Sequence, residues 1–204
     1  MRKKMSKYGL ISILLWAMVV GGFAQEKERW AALRSRYLGL KSLAGSFTET
    51  VESESGAEPI VFKGRFVFQL PHRFRLEVSE PTRQVIVGND SVVWFYFPDE
   101  QRAVLQTQRQ PVPLLGFIEP LLDTSAEVFE EREGVLVVRG GRGGFFEELK
   151  LELDKTGRRI EAFSFVDEWG NYRRFVLSNQ RWNPSVSPKS FRFVPPKGTT
   201  IEYQ

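Results

Sequence analysis

The stretch KGRFVFQLPHRFRLEV, Lys63 to Val78, admits two readings with opposite chemistry. Lys63-Gly64-Arg65-Phe66-Val67-Phe68 has the basic and aromatic character of a strand in an RNA-binding sheet, where exposed rings stack on bases between cations that grip phosphates. The other reading is a pair of strands broken at Pro71, with rings on one side and arginines in water. Parity separates them. Phe66, Phe68, Leu70, Phe74, Leu76 and Val78 are even-numbered, whereas Arg65, Gln69, Arg73, Arg75 and Glu77 are odd. Successive side chains of a strand point to opposite faces, so rings and cations are segregated here, not shared on one binding face.

The same period-two rhythm runs through most of the chain: SFTETVES (46–53), RQVIVG (83–88), SVVWFYF (91–97), RAVLQTQ (102–108), AEVFEE (126–131), GVLVVRG (134–140), ELKLELD (148–154), RIEAFSFVD (159–167), YRRFVLSN (172–179) and SFRFVPP (190–196). Turn signals such as Asp154-Lys155-Thr156-Gly157 and Glu168-Trp169-Gly170-Asn171 separate them. About eleven or twelve strands joined by tight turns imply an antiparallel meander. Val92 to Phe97 is apolar on both faces, as for a strand covered from two sides. Ahead of the strands, Trp30, Leu33, Tyr37, Leu40 and Leu43 recur at helical spacing, and Gly45 is expected to end that helix.

One segment fits neither pattern. PVPLLGFIEPLLDT (111–124) sets Leu114, Leu115, Phe117, Ile118, Leu121 and Leu122 among three prolines and a glycine. It is too rich in proline for a strand and too short for a robust helix. It reads either as short core-packed helices or as a mobile apolar lid hinged at Gly116 and Pro120. The fold class is therefore mainly β: a large curved antiparallel sheet or incomplete barrel capped by short helices, whose apolar concave face must be covered.

The N-terminus indicates export. Arg2, Lys3, Lys4 and Lys7 precede the apolar run LISILLWAMVV, and Gly22 and Ala24 stand at the minus-three and minus-one positions of a cleavage site before Gln25. Residues 1–24 are expected to be a secretory signal peptide and 25–204 one domain. Four of the 29 cations and none of the 25 anions lie in that signal, so the remaining chain carries 25 of each. A neutral exported chain lacks the cationic surplus that nucleic-acid binding requires. With no cysteine, disulfides, thiol nucleophiles and thiolate metal sites are impossible. Burial must supply stability, and 17 phenylalanines are a ready source.

Catalytic candidates are few. His72, the sole histidine, sits in a turn beside Pro71, which excludes a two-histidine metal set and leaves no general base for a hydroxyl nucleophile elsewhere. Glu147-Glu148 and Glu130-Glu131-Glu133 follow the rhythm of solvated strand faces. Gly140-Gly141-Arg142-Gly143-Gly144 joins two strands, not a strand to a helix, so a hairpin loop is expected and not a phosphate cradle. The expectation is a protein with no catalytic residues, metal or cofactor.

Several segments together resemble the LolA family of periplasmic lipoprotein carriers: LKSLAGSFTETV (40–51), the Gly64 strand with Arg73-Phe74-Arg75, EPTRQVIVGNDSVVWFYFPDEQRAV (80–104), PLLGFIEPLL, FVDEWGNYRRFVLSNQRWN and SFRFVPPKGTTI. The resemblance covers nearly all of residues 25–204 in colinear order. It implies an eleven-stranded half-open barrel with a helical lid, located in the periplasm. The apolar cavity would receive the acyl chains of lipoproteins from an inner-membrane ABC-type releasing complex and yield them to an outer-membrane acceptor. The protein would act as a monomer, without nucleic acid. A binding or sensor protein for another lipid or amphiphile on the same fold is the alternative. The cavity residues expected are Phe47, Phe66, Phe68, Leu70, Phe74, Leu76, Val78, Val85, Val87, Trp94, Tyr96, Phe163 and Phe165; the lid residues are Leu114, Leu115, Phe117, Ile118, Leu121 and Leu122. Phe74 falls at the family's functionally sensitive phenylalanine. Leu70 departs from the pattern, because the family's arginine before this proline hydrogen-bonds to the lid and holds it shut. Either another residue closes the lid here, or the cavity is more permanently open.

Overall fold

A computed structural model describes residues 28–89, 91–107, 113–122, 125–140 and 146–204. The expected signal peptide, Asp90, residues 141–145 of the glycine-rich loop and the side chains of Leu115 and Glu119 lie outside the described residues. Residues 28–38 form helix α1, with Leu33 and Tyr37 on its buried face. The helix ends at Gly39, six residues before the expected glycine, and Leu43 already belongs to the first strand. Helical spacing of apolar residues therefore persisted past the helix, because Leu40 and Leu43 are buried by the turn and the strand instead.

Among the described residues twelve strands follow: β1 (Ser42–Glu52), β2 (Ile60–Gln69), β3 (Arg73–Glu80), β4 (Gln84–Gly88), β5 (Val93–Phe97), β6 (Arg102–Gln106), β7 (Glu127–Arg132), β8 (Val135–Arg139), β9 (Glu148–Leu153), β10 (Ile160–Val166), β11 (Tyr172–Trp182) and β12 (Thr200–Tyr203). They form one sheet in the order β12-β6-β5-β4-β3-β2-β1-β11-β10-β9-β8-β7. Two meanders, β1 to β6 and β7 to β11, are thus joined edge to edge by antiparallel pairing of β1 with β11. The short helix α2 (Glu119–Leu122) lies in the connection between the meanders.

Turn chemistry fixes the hairpins. In the β10–β11 turn the Asp167 carboxylate accepts from the N–H groups of Trp169 and Asn171, while Gly170 takes a φ of 79° that favours glycine. The C-terminal region differs from expectation. SFRFVPP forms no strand: Pro188–Phe191 is a 3-10 turn, and Pro195 and Pro196 have no N–H to give a ladder. Thr200–Tyr203 supplies the twelfth strand instead, pairing with β6 in parallel.

Candidate functional site: the aromatic inner face and its cover

Residues directly opposite on neighbouring strands share a face. On the inner face Phe68 stands opposite Phe74, Phe66 opposite Leu76, and Leu76 opposite Ile86. Across the sheet, Phe163 faces Leu151 and Phe175, and Phe47 faces Leu177. Phe47, Phe66, Phe68, Phe74, Leu76, Phe163 and Phe165 are all buried in one cluster, against which half-buried Leu70 and Val78 pack. The rings form two groups. Phe66 and Phe68 stack at 4.8 Å, and Phe163 stacks on Phe175 at 4.7 Å with an interplanar angle of 8°. Such pairs each contribute about 0.5–1.5 kcal/mol beyond area burial.

Three glycines let the rings lie flat on the sheet. Gly64 is the cross-strand partner of Phe47, Gly45 of Phe66, and Gly88 of Phe74. A Cβ on Gly88 would come within 2.1 Å of the Phe74 ring, and one on Gly64 within 2.8 Å of the Phe47 ring. These glycines escaped the sequence reading, although a glycine inside a strand pattern is itself a sign of close approach.

Four expected cavity residues stand on the other face. Val85 is opposite Glu77 and Tyr96, and Val87 is opposite Arg75 and Trp94, so all four share the solvated side of β3. Trp94 and Tyr96 pack instead on Phe193 at 5.4 Å and 5.2 Å. The correction has a simple cause: in β4 it is Ile86 and in β5 Val93 and Phe95 that face the interior. Parity cannot be carried through a turn when both faces of a strand are apolar. Phe175 and Leu177, which the alternation of YRRFVLSN makes equally visible, complete the inner face.

The expected lid covers this face. Leu114, Phe117, Ile118 and Leu121 are buried, whereas Leu122 is 47% exposed and turns outward. Phe117 sits between Phe163 (4.9 Å) and Tyr37 of α1 (6.3 Å, edge-on). Two elements hold α1 in place: Arg29 pairs with Glu130 at 2.6 Å, and the Tyr37 hydroxyl accepts from the Ile160 N–H at 3.2 Å. Burial pushes the Tyr37 hydroxyl up to about 12.

Leu70 packs against the core and makes no side-chain bond to the cover. Arg34 of α1 does. Its Nε donates to the Leu121 carbonyl at 2.8 Å, satisfying an acceptor at the end of a four-residue helix. Among the described residues, this bond to the cover comes from helix α1.

The apolar face ends in charge. Glu49 stands opposite Phe175, and Arg173 opposite Phe165, so both belong to the inner face. Arg173 Nη1 donates to Glu49 at 2.7 Å and Nε to Asp167 at 2.8 Å. Burial pushes the Glu49 carboxyl up from its ordinary value, with Arg173 pulling the other way.

The outer-membrane lipoprotein carrier protein of Xanthomonas axonopodis pv. citri (strain 306) is 28% identical over 207 residues, covering 96% of this chain and 95% of that protein. The protein of the same description from Chromobacterium violaceum is 29% identical over 206 residues, with 94% and 97% covered. The crystal structure of an uncharacterized conserved protein from Thermus thermophilus shares the fold with a TM-score of 0.52, at 16% identity over 87% of this chain and 98% of that one. The family model described as "Outer membrane lipoprotein carrier protein LolA" matches residues 39–194, and the chain belongs to that family of non-enzymatic carriers.

Proposed function

We propose that this protein carries lipoproteins through the periplasm, receiving them from an inner-membrane releasing complex and delivering them as a monomer to an outer-membrane acceptor. The acyl chains lie along the inner face, against Phe47, Phe66, Phe68, Phe74, Phe163 and Phe165. The observation that carries this reading is an aromatic inner face covered by residues 113–122, with the Arg34 side chain of α1 bonded to the Leu121 carbonyl of that cover. At about 0.8 kcal/mol per buried CH2, a chain of roughly 16 carbons is held in a bilayer by on the order of 10 kcal/mol. A carrier must offer comparable apolar area and then release it. Ring and aliphatic contacts suit both steps, because they bind without directional bonds that must later break.

In the structure Phe117 and Leu121 occupy the space above the rings, both fully buried. Loading therefore exchanges cover for cargo: displaced cover residues lose their burial as acyl chains gain it. That balance keeps net affinity moderate and transfer reversible. Native mass spectrometry of the purified protein with a synthetic diacylglyceryl lipopeptide tests the reading. A one-to-one complex is expected, and failure to form any complex would overturn it.

A further inference from the structure

We infer that Glu49 and Arg173 form a polar end-site of the apolar trough, which binds the uncharged ester and amide groups joining acyl chains to a glyceryl-cysteine peptide and disfavours anionic headgroups. This rests on the carrier reading above and names what that site selects.

Placement comes first. Along β10, Ile160 meets Tyr37, Phe163 meets Phe117 of the cover, and Phe165 meets Phe146; Arg173 lies opposite Phe165, next to the Asp167 turn. Charge therefore appears at the end remote from α1. There the inner face runs out into solvent: Val51 stands opposite both Arg173 and Ile60, and Ile60 is 52% exposed. An acyl chain lying on the rings would bring its polar junction to this end.

Chemistry comes next. The Glu49 and Arg173 side chains are only 13% and 22% exposed, and Asp167, which fixes Arg173, is 9% exposed. A partly buried ion pair stabilises a fold no better than aliphatic side chains of similar size. A trough that held hydrocarbon alone would have no use for it. Of the five guanidinium N–H groups, these two bonds use one on Nε and one on Nη1, which leaves three outside them. Those donors suit ester and amide carbonyls, and the second Glu49 oxygen suits an amide N–H.

Charge sets the selectivity. Two carboxylates against one guanidinium leave the end-site net negative, and the Glu54 carboxylate lies beside Gly170 of the same turn. A phosphate or fatty-acid carboxylate is repelled there, whereas a neutral acyl-glyceryl junction is not. A carrier that meets phospholipid at every membrane gains by that distinction.

The test compares binding of an uncharged-headgroup diacylglyceryl lipopeptide with binding of phosphatidylglycerol of equal chain length, by displacement of an uncharged fluorescent diacylglycerol probe. Wild type is expected to favour the lipopeptide. Glu49→Leu with Arg173→Met removes one charge of each sign, so it should lower lipopeptide affinity by about tenfold, leave phosphatidylglycerol binding unchanged and thereby narrow the preference. The outer-face pair Glu152→Leu with Arg174→Met, two residues joined by bonds of 3.0 Å and 2.9 Å, serves as the control and should change neither. If the double variant fails to fold, Glu49→Gln decides: it keeps shape, removes one charge and should raise phosphatidylglycerol binding. A folded end-site variant with unchanged affinity and preference overturns the inference alone. Wild type that binds no lipopeptide overturns the carrier reading with it.

Discussion

Arg34 Nε donates to the Leu121 carbonyl at 2.8 Å, across 87 positions of sequence, and so ties the cover of the aromatic face to helix α1. Leu70, which stands where the family resemblance implies an arginine that bonds to the lid, packs against the apolar cluster. Among the described residues, the arginine bonded to the cover stands on a different element, α1.

Arg34→Met keeps the apolar stem and removes only the bond. A hydrogen bond from a charged donor contributes about 1.5–3 kcal/mol, so the opening equilibrium of the cover should shift by roughly tenfold or more. Faster amide hydrogen exchange at Ile118 and Leu121, with an unchanged rate in β10 and β11, is the expected result.

Gly88→Ala forces a methyl group into the Phe74 ring, where 2.1 Å is available. Overpacking of this kind should destabilise the protein by about 1–3 kcal/mol in urea unfolding. Adding Phe74→Leu should recover part of that loss, because a smaller side chain leaves room for the methyl. A strictly additive double variant would show that ring and glycine are not coupled.

Trp94 and Phe163 separate the two faces. Trp94→Ala strips a ring contact from the outer C-terminal segment, so it should lower the melting temperature and leave lipopeptide affinity intact. Phe163→Ala removes the ring that meets both Phe117 and Phe175, and should weaken lipopeptide binding as well as stability. Isothermal titration alongside thermal unfolding distinguishes the pair.

Asp154 gives a pH dependence of known sign. Burial raises its pKa, but the N–H groups of Arg158 and Arg159 and the Thr156 hydroxyl outweigh burial and hold the carboxyl at about 2, below its ordinary 3.8. A pKa depressed by folding contributes stability above the unfolded value and loses it as pH falls through the folded one. Urea midpoints should therefore fall between about pH 4 and pH 2, and Asp154→Asn should be less stable at pH 6 with a flatter acid limb.

Much of this protein is written in local pattern. Alternation between Phe66 and Val78 places rings on one face and cations on the other, and the paired strands keep that assignment because a one-residue slip would expose every ring. The proline-rich segment at 111–124 could be neither strand nor long helix, and its described part, residues 113–122, covers the sheet with short helical turns. Most of the strands and the family resemblance rest on such local features.

Tertiary structure decided the rest. Val85, Val87, Trp94 and Tyr96 are as apolar as the true inner-face residues, and only the pairing of β3, β4 and β5 assigns them outward. The glycines under Phe47, Phe66 and Phe74 acquire their role from partners on another strand. Arg34 and Leu121, like Glu49 and Arg173, meet across long stretches of chain. Period two specifies a face within one strand; which face becomes the interior, and which distant polar group meets it, depends on register and packing among strands, where a single sequence carries no local signal.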